Sequence, residues 1–139
     1  MRDDCIFCKI ADGRIPSERI LKTPDVQAFL DIGPIVKGHV LVIPREHYER
    51  VVDLPPGLLN KVIDAVHRVS GAWLHVLKAD GVNLFKANGA AAGQVVPHVH
   101  FHVIPRFNND GHHWNWASGT YDAPDEIVRT GERLRTALR

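Results

Sequence analysis

Cysteine is scarce in this chain. Of 139 residues only Cys5 and Cys8 carry thiols, and they stand three positions apart. A pair this close closes no long loop, so disulfides do not staple the fold, and in a reducing compartment the spacing favours a metal-ligand or redox pair. Charge of one sign is missing too: 17 basic residues face 16 acidic ones, a formal net charge of +1. Without a basic footprint the chain is not built to hold a nucleic-acid polyanion. No stretch approaches the roughly 18 apolar residues of a membrane span, and the opening MRDDCIFCKIADG has no apolar run of signal-peptide length. These absences lead to the expectation of a cytoplasmic protein with neither membrane nor nucleic acid as partner.

The rest of the composition is ordinary, with 45% apolar and 24% charged residues, and 139 residues suffice for a single domain, 1–139, with one core. The exception is histidine, of which there are nine.

Along the chain, Ile6, Phe7 and Ile10 form a short amphipathic segment, and Ile15-Pro16 breaks it. Residues 19–23 and 26–31 flank a Thr-Pro-Asp turn and read as a hairpin. Gly33-Pro34 and Lys37-Gly38 bracket a loop, after which residues 39–44 are an apolar run of buried-strand type stopped by proline. From Pro56 to Leu77 apolar residues recur every three or four positions behind a Pro-Pro start, which predicts the longest helix. Residues 81–88 read as a strand, 89–93 as a small-residue loop, 98–104 as a strand closed by Pro105, and 124–139 as a polar, weakly amphipathic helix. Several strand connections are too short for a helical crossover, so the expected class is α+β with an antiparallel sheet of about five strands.

The run His98-Val-His-Phe-His-Val-Ile104 places imidazoles at alternate positions. In a strand the period of two puts all three on one face, roughly 6 to 7 Å apart, and Val99, Phe101 and Val103 on the other. Polar strand faces normally mix Thr, Lys, Glu and Ser, which argues against a merely solvated face. A single catalytic zinc on all three is a second reading, though a third ligand usually comes from another strand. The remaining reading makes the middle imidazole a nucleophile toward phosphorus, its other ring nitrogen held by a hydrogen bond that fixes the tautomer. Just upstream, Asn88-Gly-Ala-Ala-Ala-Gly-Gln94-Val-Val-Pro is a glycine-bearing loop whose backbone N–H groups, with the Asn88 and Gln94 amides, suit phosphate oxygens.

These motifs resemble the histidine-triad (HIT) family. The resemblance rests on the triad run and extends through Cys5-Ile-Phe-Cys8, Phe29-Leu-Asp31, Lys37-Gly-His-Val-Leu-Val-Ile-Pro44, Ala92-Gly-Gln94 and Pro105-Arg106, about the first three-quarters of the chain. It implies a HIT-like fold with one long helix and a C-terminal helix, in a homodimer. It also implies a hydrolase acting on the α-phosphate of purine nucleotide conjugates, nucleoside phosphoramidates or AMP-linked substrates, through a covalent nucleotidyl-histidine. A dinucleoside polyphosphate hydrolase, a nucleotidyl transferase or a nucleotide-binding module with incidental hydrolysis are the alternatives. By position, His100 matches the nucleophile, His102 the histidine against phosphate and leaving group, and His39 the fourth histidine of the site. Asp31 matches the ribose-binding position, with Ile6, Phe7, Phe29, Leu30 and Ile32 lining a purine pocket; Asn88, Gln94 and the Val95 and Val96 backbone match the phosphate cradle.

Structural zinc wants four ligands, so Cys5 and Cys8 alone fall short of a site. The zinc-bearing branch of the family implies His47 and His98 as the other two, with one supportive zinc per chain. His67, His75, His112 and His113 match no motif and read as surface or packing residues, and residues 107–123, which in family terms shape leaving-group preference, fit no readable pattern.

Overall fold

The computed structural model describes residues 2–113 and 115–139; Trp114, in the segment with no readable pattern, lies outside the described residues. The sheet grows outward from its two most apolar segments. Val26–Leu30 (β2) and Val40–Pro44 (β3) pair antiparallel in unbroken register, from Val26 opposite Pro44 to Leu30 opposite Val40. Every residue of β3 is buried, which is why its sequence is continuously apolar instead of alternating. Polar Arg19–Lys22 (β1) completes the hairpin with β2 and forms one edge of the sheet, where charged side chains discourage further pairing.

On the other side β3 pairs with Phe101–Arg106 (β5), which in turn pairs with Gly81–Phe85 (β4), again antiparallel. The five strands therefore run in the order β1-β2-β3-β5-β4. Helix Ile6–Ala11 (α1) covers one face, bringing Phe7, Cys8 and Ile10 against Phe29, Leu41 and Ile43. Helix Pro56–Val76 (α2) covers the other, packing Val62, Ala65, Val66 and Val69 against Val26, Ala28, Val40, Val42 and Val103. Helix Glu126–Ala137 (α3) buries no side chain. No helix among the described residues is long and apolar enough to cross a membrane.

Two strands differ from the sequence expectation. The triad strand begins at Phe101, not His98, and runs on through Pro105 to Arg106. Its ladder with β3 starts at the pair Val42–Phe101; upstream the chain turns, with His98 N–H donating to Val96 O (2.8 Å) and Val99 N–H to Tyr48 O (2.7 Å). Pro105 is tolerated because the β3 pairing ends at Val103, so its missing N–H removes no bond from that ladder. β4 stops at Phe85 instead of residue 88, because its register with β5 ends at the pair Phe85–His102.

Gly38 sets the entry into β3, immediately before His39. Its φ is +98°, and a Cβ there would lie 2.9 Å from Leu77 Cδ1 and 3.2 Å from Pro105 Cγ. Both the backbone region and the close approach demand glycine. Gly38→Ala is expected to destabilise the fold by about 1–3 kcal/mol, read as a lower urea midpoint at unchanged m-value; an unchanged midpoint would contradict this account of the turn.

Candidate active site and metal site

The α1 face of the sheet carries a cavity of about 370 Å³. Of the residues singled out from the sequence, Ile6, Phe7, Phe29, Leu30, Asp31, Ile32, Val95, Val96, His100 and His102 all line it. Ile10, Ile15, Pro16, Ser17, Leu41 and Gly93 line it as well and escaped the sequence reading. The walls are largely apolar, and Phe7 packs edge-on against Phe29 (centroids 5.8 Å apart) and against His100 (5.0 Å). Asp31 leaves β2 with its Oδ1 accepting from Gly33 N–H at 2.9 Å.

His100 and His102 lie side by side in this cavity, ring centroids 5.1 Å apart. The Nδ1 atom of His100 is 2.7 Å from the carbonyl oxygen of His98. A carbonyl only accepts, so Nδ1 carries the proton and Nε2 keeps its lone pair. His102 is held on both sides: Phe85 stacks on it at 4.1 Å with the rings 12° from parallel, and its Nδ1 meets His39 Nε2 at 2.8 Å. Burial lowers the pKa of His39 and His100, and burial together with the neighbouring imidazoles His100 and His39 lowers that of His102 to about 4. All three rings are therefore neutral near pH 7, since a low-dielectric setting penalises the charged form.

The Asn88 and Gln94 amides, expected at the phosphate, also make bonds that hold their own loop in place. Gln94 accepts from Gly89 N–H (2.7 Å) and donates to the carbonyls of Glu49 (2.7 Å) and Val96 (3.1 Å). Asn88 Oδ1 accepts from Val51 N–H at 2.9 Å. Neither lines the cavity; both tie the loop to the segment after β3 and so determine where the Val95 and Val96 backbone lies. A loop without regular pairing must satisfy its main-chain groups in some such way.

Behind the triad, Cys5, Cys8, His47 and His98 bring one ligand atom each to within 4.8 Å of all the others. Cys5 Sγ lies 3.4 Å and Cys8 Sγ 3.6 Å from His98 Nδ1, and Cys8 Sγ is 3.4 Å from His47 Nδ1. Metal–S and metal–N bonds of ~2.3 and ~2.0 Å at tetrahedral angles put their ligand atoms about 3.5 Å apart, so these four residues are positioned to bind a metal. His98 is prepared for the role: its Nε2–H donates to Pro44 O at 2.8 Å, leaving Nδ1 as a lone pair toward the sulfurs. Burial pushes the Cys8 thiol up and holds His98 down to about 4, so both favour their uncharged forms, and it takes a bound cation to hold Cys8 as a thiolate here. His67 and His75 are exposed on α2, and His112 and His113 are exposed beyond β5. The nearby Arg106 is taken up by structure, paired to Asp110 at 2.7 Å and to Asn83 Oδ1 at 2.7 Å.

Comparison with known proteins agrees with this arrangement. The model of the HIT domain matches residues 12–109. A Schizosaccharomyces pombe protein named adenosine 5′-monophosphoramidase is 38% identical over 136 residues, 97% of this chain and 98% of its own. The crystal structure of a HIT family member from Bacillus subtilis superposes with a TM-score of 0.91 at 36% identity, covering 99% of each chain. A zinc-bound histidine triad family protein from Mycobacterium smegmatis does so with a TM-score of 0.73 at 33% identity, over 96% of this chain and 97% of that one. With its family model, near full-length relatives and fold in agreement, the chain belongs to the HIT family.

Proposed function

We propose that this protein hydrolyses nucleotide conjugates at the α-phosphate, on nucleoside phosphoramidates or AMP-linked substrates, with His100 as a covalent nucleophile. The observation that carries the reading is the His100 ring: the main chain holds its proton at Nδ1 and leaves the Nε2 lone pair available, in a cavity with apolar walls and a carboxylate. The S. pombe relative, named for adenosine 5′-monophosphoramidase activity, supports the substrate class. In this account the purine lies between Ile6, Phe7, Phe29 and Ile32, and Asp31 accepts hydrogen bonds from the ribose hydroxyls. His100 Nε2 attacks phosphorus and the P–N or P–O bond breaks, its electron pair leaving with the departing group. Water then attacks the nucleotidyl-histidine, releasing the nucleoside monophosphate and restoring the imidazole. His102 lies against the phosphate and leaving group, with His39 behind it.

For the metal we propose zinc, which the thiolate and imidazole donor set suits and which the M. smegmatis relative carries. Cys5, Cys8, His47 and His98 would hold it with no ligand position left for water, so its contribution is structural. We also assign a homodimer and a cytoplasmic location. β4 is an edge strand with Leu84 and Phe85 exposed, and α2 exposes Ile63 and Leu74, so an apolar face is left to cover; the two free thiols suit a reducing compartment.

His100→Ala is expected to cut turnover of an adenosine phosphoramidate by at least about 1,000-fold. It should also abolish an acid-labile, base-stable nucleotidyl adduct on the peptide containing Phe101, with AMP affinity largely kept. Near wild-type turnover in this variant would overturn the mechanism. Asp31→Ala should weaken AMP by about 10- to 100-fold, as a carboxylate accepting from hydroxyls contributes about 1.5–3 kcal/mol. The 2′,3′-dideoxy analogue should lose little, and an equal loss for both in calorimetry would remove Asp31 from ribose recognition. Elemental analysis should find one zinc per chain, absent from the Cys5→Ser, Cys8→Ser double variant. That variant should melt at lower temperature yet retain measurable activity well below its Tm; full inactivation of a folded double variant would make the metal catalytic.

A further inference from the structure

We propose that the backbone N–H of Ile35 fixes the tautomers of a two-imidazole relay, so that His102 turns an N–H rather than a lone pair toward the reacting phosphate. Ile35 is thereby a positioning residue; its catalytic consequence, though not the tautomers themselves, rests on the hydrolysis proposed above.

The chain of bonds starts in the loop before β3. Ile35 N lies 3.2 Å from His39 Nδ1. A peptide N–H only donates, so Nδ1 must offer its lone pair, and a neutral imidazole with a bare Nδ1 carries its proton on Nε2. That atom is 2.8 Å from His102 Nδ1. Two ring nitrogens at this distance share one proton; His39 supplies it, His102 accepts at Nδ1, and the proton of His102 is therefore on Nε2. His39 is 2% exposed, so bulk water does not make the choice.

The competing arrangement would direct His39 Nδ1–H to Asp31. Asp31 Oδ2 is 3.8 Å from that nitrogen, beyond hydrogen-bond range, while Oδ1 is engaged by Gly33 N–H at 2.9 Å. Were the amide of Ile35 absent, the carboxylate would be the remaining polar partner, and the relay would reverse: Nδ1–H on His39, Nδ1–H on His102, and a lone pair at His102 Nε2. A lone pair repels a phosphoryl oxygen, whereas an N–H stabilises the charge that develops on it. His100 is governed in the opposite sense by the acceptor His98 O. One main-chain donor and one main-chain acceptor thus give adjacent histidines opposite polarity, a nucleophile beside a hydrogen-bond donor.

Ile35 is 46% exposed and meets His39 through its backbone N–H, so the relay depends on its amide and not on its side chain. Long-range ¹H–¹⁵N correlation spectra of the full chain, labelled in histidine and carrying its metal, report each ring's tautomer without any substrate. At neutral pH wild type is expected to show Nε2–H for His39 and His102 and Nδ1–H for His100, and Ile35→Ala should keep these forms. Replacing residue 35 by its α-hydroxy acid, which exchanges the N–H for an ester oxygen, should move His39 and His102 to Nδ1–H. With an adenosine phosphoramidate it should lower kcat by about 10- to 100-fold at nearly constant KM. Ile35→Pro removes the same N–H by another route. Nδ1–H on His39 in wild type would overturn the inference outright, as would tautomers unmoved in a folded ester variant. Tautomers that behave as expected in a protein with no nucleotide turnover would uphold the relay and sink the proposed hydrolysis instead.

Discussion

One buried imidazole, that of His98, ties together the parts on which the site depends. Its Nε2–H holds the carbonyl of Pro44 at the end of β3, its Nδ1 faces the thiols at the start of α1, and its own carbonyl fixes the ring of His100. Helix, sheet and nucleophile are thus joined through a single fully buried residue. Both ring nitrogens have partners, which offsets the cost of taking a polar ring out of water. A metal on the four-residue cluster would act on His100 at one remove, by holding the backbone that orients it.

The electrostatics of the site follow from the same burial. His39, His100 and His102 crowd together in a buried setting; His39 makes both of the others harder to protonate, and His100 does the same to His102. Asp31 is the acidic group that opposes this, and it acts on all three. The free site therefore attracts an anion less through imidazolium charge than through oriented N–H groups, whose placement is a matter of main-chain geometry, and the nearby Lys86 amine.

That distinction explains what could be read from the sequence. The hairpin, the buried strand and the long helix were legible because their residues repeat with the period of the element and are closed by proline or glycine. The chemical residues were legible in part as residue types, three alternating histidines and paired thiols, while Asp31 and His39 were singled out by the family resemblance. What decides their roles was not, because Ile35 N–H, His98 O and Tyr48 O are main-chain atoms that any residue other than proline would supply. The same holds for the start of β5, since alternation looks alike in a paired strand and in an extended lead-in. His47 stands in Arg-Glu-His-Tyr with no spacing signal toward the cysteines, and only the family resemblance singled it out. Leu41 reads as core inside an apolar run although it also lines the cavity. Phe85 faces His102 only through a pairing register that the sequence does not encode locally.

The offset of β5 divides the site between a half inside the strand ladder and a half ahead of it. His102 lies within the ladder, opposite both Leu41 and Phe85. His100 lies ahead of it, on a lead-in anchored at Val99 by one bond to Tyr48 O. Two imidazoles two positions apart are thus placed by different means: one by the pairing of three strands, the other by main-chain bonds to a loop carbonyl and to the carbonyl of a buried neighbour.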